Sequence, residues 1–330
     1  MSMPLLQTKL RAPPPRTRLV ARPLITAKLR EGLSHPLTVI CAPAGFGKTT
    51  LLSQWIAKTV DAVAWLGLDD EDNDPVRFFT YFLAALQAVQ PTLGVTAQEL
   101  FATTQPPVLK AGFTLLLNEL ATLTTPLTLF LDDYHLITTP AIHEALTFLV
   151  DHLPSSCHLV LTTRIDPPLP LARWLVRNQL TEIRTDDLRF DHADAVTFLN
   201  EVMGLTLSTS DVDTLEARTE GWIAGLQLAA LSLQDQRDSA AFIQAFTGSH
   251  VYIAEYLLAE ILQKQPEDVQ LFLLQTSVLE RLQADLCTAV TQNPNSSAIL
   301  TNLHRANIFI VPLDNEGRWF RYHHLFADLL

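Results

Sequence analysis

Apolar positions in the first half of the chain fall into short unbroken runs. "LTVICAP" from Leu37, "AVAWLGL" from Ala62, "LTLFLDDYHLI" from Leu127 and "CHLVLTTR" from Cys157 are of this kind, and "LTEIRT" from Leu180 is a shorter fifth. Between them apolar residues return at helical spacing, in "KTTLLSQWIAK", "DPVRFFTYFLAAL" and "AIHEALTFLVDHL". A continuous apolar run is a strand covered on both faces, and a 3.6-residue period is one buried stripe of a helix. Their alternation predicts an α/β fold with a parallel sheet between helical layers. Asp74 before Pro75 reads as an N-cap followed by the first helical residue.

After about residue 186 the strand-like runs stop. "HADAVTFLNEVMG", "DVDTLEARTEG", "WIAGLQLAALSLQ", "VYIAEYLLAEILQKQ", "PEDVQLFLLQTSVL" and "SSAILTNLHRAN" all read as helices. "IFIVPLDNEGRWFRYHH" then places two short strands around a "DNEG" turn. Helices followed by such a hairpin predict a winged-helix unit. The chain stops inside an amphipathic segment, "HLFADLL", so the expectation is a piece of a longer protein.

Composition narrows the class. The 330 residues allow two or three domains at roughly 100–200 residues each. The formal charge of −12 argues against a general coat for nucleic acid or a membrane surface. Cys41, Cys157 and Cys287 are widely spaced and odd in number, which fits reduced thiols rather than a disulfide framework. No apolar run reaches the ~20 residues of a membrane span, and the N-terminus has no signal-peptide core, so the expected location is the cytoplasm.

The first strand leads into Ala42-Pro43-Ala44-Gly45-Phe46-Gly47-Lys48-Thr49, which follows the phosphate-loop pattern G-x-x-x-x-G-K-[ST] with alanine at its first glycine. Gly45 and Gly47 allow backbone N–H groups to turn around phosphates, and the following helix adds its positive end. Gly45, Phe46, Gly47, Lys48, Thr49 and Thr50 are the expected nucleotide-binding set. Lys48 would reach the β- and γ-phosphates and act in catalysis, and Thr49 would ligate Mg²⁺. "LTLFLDD" supplies the acidic strand end: Asp132 as the Mg²⁺ carboxylate and Asp133 as the group orienting the attacking water. "LVLTTR" would bring Arg164 beside the transferred charge. The expected cofactors are ATP or ADP with Mg²⁺.

Beyond the phosphate loop, "TKLRAPPPRTRLVARPLI", "LDDEDNDPVRFF", "LDDYHLI", "DPPLPLARW", "RTEGWIAGLQLAALSL", "LLQTSVLERLQADLC" and "FRYHHLFADLL" together cover nearly the whole chain. In these blocks the sequence resembles the signal-transduction (STAND, NB-ARC-like) ATPases, and within them the MalT-type, LuxR-family transcriptional regulators. The resemblance implies a P-loop domain with an N-terminal adenine-side segment over 1–186, a helical domain over 187–248 and a winged-helix domain over 249–330. It implies that His323 of "YHH" meets the ADP β-phosphate, with His324 where relatives carry aspartate. It places Val20 and Arg22 near adenine, and Gln227 of "GLQLA" where relatives carry proline. It further implies self-association in the ATP-bound form, and an inducer read by a sensor further along.

Two functions of different class fit this reading. One is an ATP/ADP switch whose slow hydrolysis resets the state. The other is an ordinary ATP-driven remodelling or transferase enzyme. No acceptor-substrate constellation is visible, which favours the switch. "DDEDNDP" lacks the glycine and glutamate of a calcium loop and reads as an acidic loop and helix cap. The wing hairpin sets Arg318 and Arg321 against Asp314 and Glu316, so the expectation is no direct DNA contact by this chain, and no membrane contact.

Overall fold

The computed structural model describes residues 4–103, 109–234 and 239–330. Its contacts cluster into two units. The first comprises Met1–Thr17, Arg22–Cys41 and Lys48–Asp187; the second comprises Arg18–Ala21, Ala42–Gly47 and Leu188–Leu330.

The first unit is built on a parallel sheet of β1 (Leu37–Cys41), β2 (Ala62–Gly67), β3 (Leu127–Asp132), β4 (Cys157–Thr163) and β5 (Leu180–Ile183), in the spatial order β2-β3-β4-β1-β5. Every residue of β1, β3 and β4 is buried, which is why their sequences run apolar without alternation. In register, Val39 of β1 lies opposite Leu161 of β4 and Glu182 of β5. The chain leaves β1 for the far edge at β2, returns through β3 and β4, then passes β1 to reach β5. β1 is therefore the strand where the winding reverses. In open α/β sheets the carboxyl ends of the strands at such a reversal form the ligand crevice.

The covering helices follow from their sequences. In Pro75–Gln87 the Asp74 carboxylate accepts the Arg77 N–H at 2.8 Å, satisfying one of the orphan donors of the first turn. The helix buries Phe79 and Phe82, which meet Phe113 edge-on at 5.1 and 5.2 Å. Each fully buried phenylalanine contributes on the order of 1.5–3 kcal/mol. Phe113 belongs to the helix Leu109–Leu120, which with Val95–Thr103 occupies a stretch for which the sequence pattern above names no element. The acidic run is the expected loop and cap: Asp69 closes a capping box on the turn Asp70–Asn73. Its carboxylates also hold the N-terminal segment. Buried Lys9 pairs with Asp72 and, at 2.9 Å, with Asp69, while the Leu6 N–H donates to the Tyr81 hydroxyl at 3.0 Å.

The second unit is helical up to Arg305, with the helices His192–Val196, Thr209–Thr219, Ile223–Gln234, Val251–Leu257, Glu267–Thr276, Ala284–Thr291 and Ser296–Arg305 among its members. His192–Val196 and Val251–Leu257 each continue into a π-helical turn, Thr197–Val202 and Leu258–Leu262. The wing follows: β6 (Ile310–Pro312) pairs antiparallel with β7 (Phe320–Tyr322), and Leu282 adds a bridge to Phe320. In the turn, Asp314 accepts the N–H groups of Glu316, Arg318 and Trp319, so its carboxylate organises the hairpin. The parallel sheet, the helices and the C-terminal winged helix agree with the fold class expected from the sequence. Among the described residues no helix is long and apolar enough to cross a membrane.

Candidate functional site

The end of β1 runs into the loop Ala42–Gly47, and the helix Lys48–Ile56 starts directly after it. Gly45 and Gly47 sit at φ 82° and 75°, a region a side chain enters only at a cost. Gly45 also has no room for one. A Cβ there would lie 2.5 Å from Trp222 Nε1 and 2.6 Å from Ala224 Cβ. The loop is bonded to that segment within the second unit: Trp222 Nε1–H donates to the Ala44 carbonyl at 3.0 Å, and the Ala224 N–H to the Gly45 carbonyl at 3.0 Å. With these carbonyls taken by Trp222 and Ala224, the loop is held in one conformation from outside. Phe46 is buried.

In the first unit, Lys48 is buried at the helix start. Burial pushes its ammonium down to about 8, against the pull of Asp133 and helped by the repulsion of Arg164. Arg164, half-buried just past β4, is thus placed with Lys48 and the two aspartates. Asp132 ends β3. Its carboxylate accepts the Thr49 hydroxyl at 3.0 Å and the Thr162 hydroxyl from β4. Burial and the neighbouring Asp133 raise its proton affinity, and the two hydroxyls and Lys48 oppose this.

Asp133 differs from its neighbour. Its backbone is left-handed, at φ 59° and ψ 40°, and its N–H donates to Thr162 Oγ1 at 3.0 Å. Its carboxylate caps no helix and is 42 % exposed, so it faces outward where Asp132 is enclosed. Asp133 therefore does not serve as a side-chain cap for the turn Tyr134–Leu136. Thr162 ties both acidic residues to β4, a role that residue type alone did not single out.

Thr49 Oγ1 and the Asp132 carboxylate form a hard oxygen pair at hydrogen-bond distance, the donor type of Mg²⁺, which keeps several waters and is completed by phosphate. Gly45 and Gly47, both at positive φ, give the loop the backbone freedom of an anion-binding nest. These residues fit Mg²⁺-nucleotide. Thr50 follows in the same helix, half-buried.

The remaining expected residues are placed as follows. Val20 is buried in the second unit. Arg22, in the first, donates to the Asp187 carbonyl at 2.9 Å. Gln227 lies half-buried in Ile223–Gln234. His323 is only 4 % exposed; its Nε2–H donates to the Thr219 carbonyl at 2.9 Å. Its Nδ1 is buried with no hydrogen-bond partner among the described residues. The ring lies 6.3 Å from that of Trp222, the residue bonded to the phosphate loop. Sequence reasoning gave no role to Trp222. The signal was the tryptophan at the head of the apolar run "WIAGLQLAALSL", which reads as core.

Residues 258–330 match the MalT winged helix domain. Over 330 residues the chain is 37 % identical to the HTH-type transcriptional regulator MalT of Serratia proteamaculans, covering 99 % of this chain and 36 % of that protein. The MalT of Vibrio campbellii is 34 % identical over 313 residues, 94 % of this chain and 35 % of the relative. The chain thus spans about a third of the length of the curated relatives it matches. Among solved structures, the Walker-type ATPase of Pyrococcus abyssi superposes with a TM-score of 0.65 at 15 % identity, covering 96 % of this chain and 97 % of the other. That likeness concerns the fold.

One expectation is corrected by these matches. The chain was expected to make no direct DNA contact, yet residues 258–330 are a winged-helix domain, a DNA-binding motif. The reason is physical: neither the net charge of the whole chain nor the balance of Arg318 and Arg321 against Asp314 and Glu316 in one hairpin describes the whole face of a domain. A P-loop-type α/β domain followed by a MalT-like winged-helix domain describes the chain at this level.

Proposed function

We propose that the chain is an ATP/ADP-dependent switch of the STAND, NB-ARC-like kind, the core of a MalT-type, LuxR-family transcriptional regulator, with slow ATP hydrolysis resetting it. The observation that carries this reading is the grouping at the strand ends. Buried Lys48, the Thr49–Asp132 pair, outward-facing Asp133 and Arg164 stand together in one electrostatic cluster. In this reading Lys48 holds the β- and γ-phosphates, and Gly45 to Thr50 cradle them. Thr49 and Asp132 hold Mg²⁺, which neutralises phosphate charge when bound. Asp133 orients the attacking water, Arg164 offsets charge on the transferred group, and Val20 and Arg22 lie by the adenine. The proposed domains are 1–186, 187–248 and 249–330.

His323 is the proposed reader of the diphosphate. Its buried, unpartnered Nδ1 supports this, since a buried polar atom without a partner costs about 1–3 kcal/mol and a ligand would supply one. A switch requires that the nucleotides differ in their affinity for two conformations. A donor that reads the ADP β-phosphate supplies part of that difference.

The chemistry is tested at Asp133. Asp133→Asn keeps the shape but loses the base, and is expected to retain Mg²⁺-ATP binding while hydrolysis falls by ~10²–10⁴-fold. A single-turnover assay decides it. Hydrolysis at the parental rate would remove Asp133 from the mechanism.

A further inference from the structure

Glu220 follows the helix Thr209–Thr219 in the left-handed region, at φ 50° and ψ 36°, and Gly221 after it is at φ 69°. A glutamate held there carries a strain of roughly 1–2 kcal/mol. The turn sends its side chain inward, where it is 7 % exposed, and into a set of contacts with the wing. The Arg321 guanidinium donates to both carboxylate oxygens, at 2.7 and 2.9 Å. The His324 backbone N–H donates to Oε1 at 3.1 Å. Arg189 Nη1 stands 3.6 Å from Oε2. One carboxylate therefore binds the residues two before and one after His323. The preceding carbonyl, that of Thr219, accepts from the His323 ring itself.

We infer that Glu220, through Arg321 and His324, is a positioning residue that fixes the His323 imidazole so that Nδ1 faces the β-phosphate of a bound nucleoside diphosphate. This rests on the reading of His323 given above. The geometry leaves the ring little choice. Its Nε2–H is committed to the Thr219 carbonyl, so the neutral ring presents Nδ1 as a lone pair. To donate to phosphate, Nδ1 must take a proton. The ionisable groups around the ring are Glu220, Arg189, Arg321 and His324. Burial pushes the imidazole down to about 4, and Glu220 opposes that shift. Burial alone would raise the Glu220 carboxyl, but the Arg321 hydrogen bonds and the charge on His323 hold it at about 2. Glu220 is therefore an anion across the working pH range. It orients the ring and favours the imidazolium that an entering phosphate would stabilise.

The test is a double-mutant cycle on the 330-residue chain, read as the release rate of a fluorescent ADP analogue by stopped flow, with thermal unfolding of each variant alongside. Glu220→Gln keeps the shape and can still accept from His324, but loses the charge. It is expected to speed release about tenfold, as His323→Ala does, the worth of one charge-assisted hydrogen bond. In the His323→Ala background, Glu220→Gln is expected to add nothing. Arg321→Gln carries the same expectation if Glu220→Gln does not fold, and Arg321→Lys should restore part of the parental rate. If His323→Ala releases ADP at the parental rate, the reading of His323 itself fails. If His323→Ala is fast but Glu220→Gln is parental, or speeds release equally in both backgrounds, the positioning role fails while the reading of His323 stands.

Discussion

Lys48→Ala is expected to weaken ATP binding by a hundredfold or more, roughly the loss of two charge-assisted hydrogen bonds to phosphate. Lys48 is the first residue of its helix, buried among Asp132, Asp133 and Arg164, and placed where the loop delivers it. Its charge is already costly there, since burial has brought the ammonium down to about 8. That gives the same residue a pH signature. Phosphate favours the ammonium, so the bound form has the higher pKa, and ATP binding takes up a proton once the free protein's Lys48 is neutral. Affinity should be flat below about pH 8 and then fall with rising pH, up to tenfold per pH unit for one linked proton. Isothermal titration calorimetry from pH 7 to 9.5 checks both statements. Parental affinity in Lys48→Ala would remove the site, and a flat profile would remove the linkage.

The second large effect is expected at a residue outside the phosphate-loop motif. Trp222 is fully buried, packs edge-on against Phe309 at 5.1 Å, and bonds the Ala44 carbonyl. Trp222→Ala is expected to cost about 3–5 kcal/mol of stability, the range for removing a large core aromatic. Trp222→Phe separates packing from bonding. It keeps most of the volume but leaves the Ala44 carbonyl without its donor, at about 1–3 kcal/mol. Because that carbonyl lies in the loop, the Phe variant should also bind ATP more weakly. Urea unfolding with and without Mg²⁺-ATP measures both effects. Equal nucleotide stabilisation of Trp222→Phe and the parent would show that the indole does not preorganise the loop.

These two residues mark what the sequence carries and what it does not. Lys48, Thr49 and the Asp132–Asp133 pair were legible because each lies at a fixed offset from the end of an apolar run, and such offsets are local. The parallel sheet was legible for the same reason. The order β2-β3-β4-β1-β5 was not, because nothing in a strand's own pattern says which strand lies beside it. The Trp222–Ala44 bond joins residues 178 apart, and a tryptophan in an apolar run looks like any core residue. Glu220 was hidden differently. In "RTEGW" it reads as a solvated charge at a helix end, and only the left-handed turn before Gly221 brings it to Arg321, 101 residues on. The DNA expectation failed because the charge of the whole chain and of one hairpin was used to judge a whole domain.

A nucleotide switch that turns over slowly, as proposed for this chain, should hold on to its ADP. The most direct test is the nucleotide content of the freshly purified chain, measured by acid extraction and chromatography. Close to one ADP per chain is expected, retained through gel filtration. A chain that purifies free of nucleotide would contradict it and point to an ordinary ATP-driven enzyme.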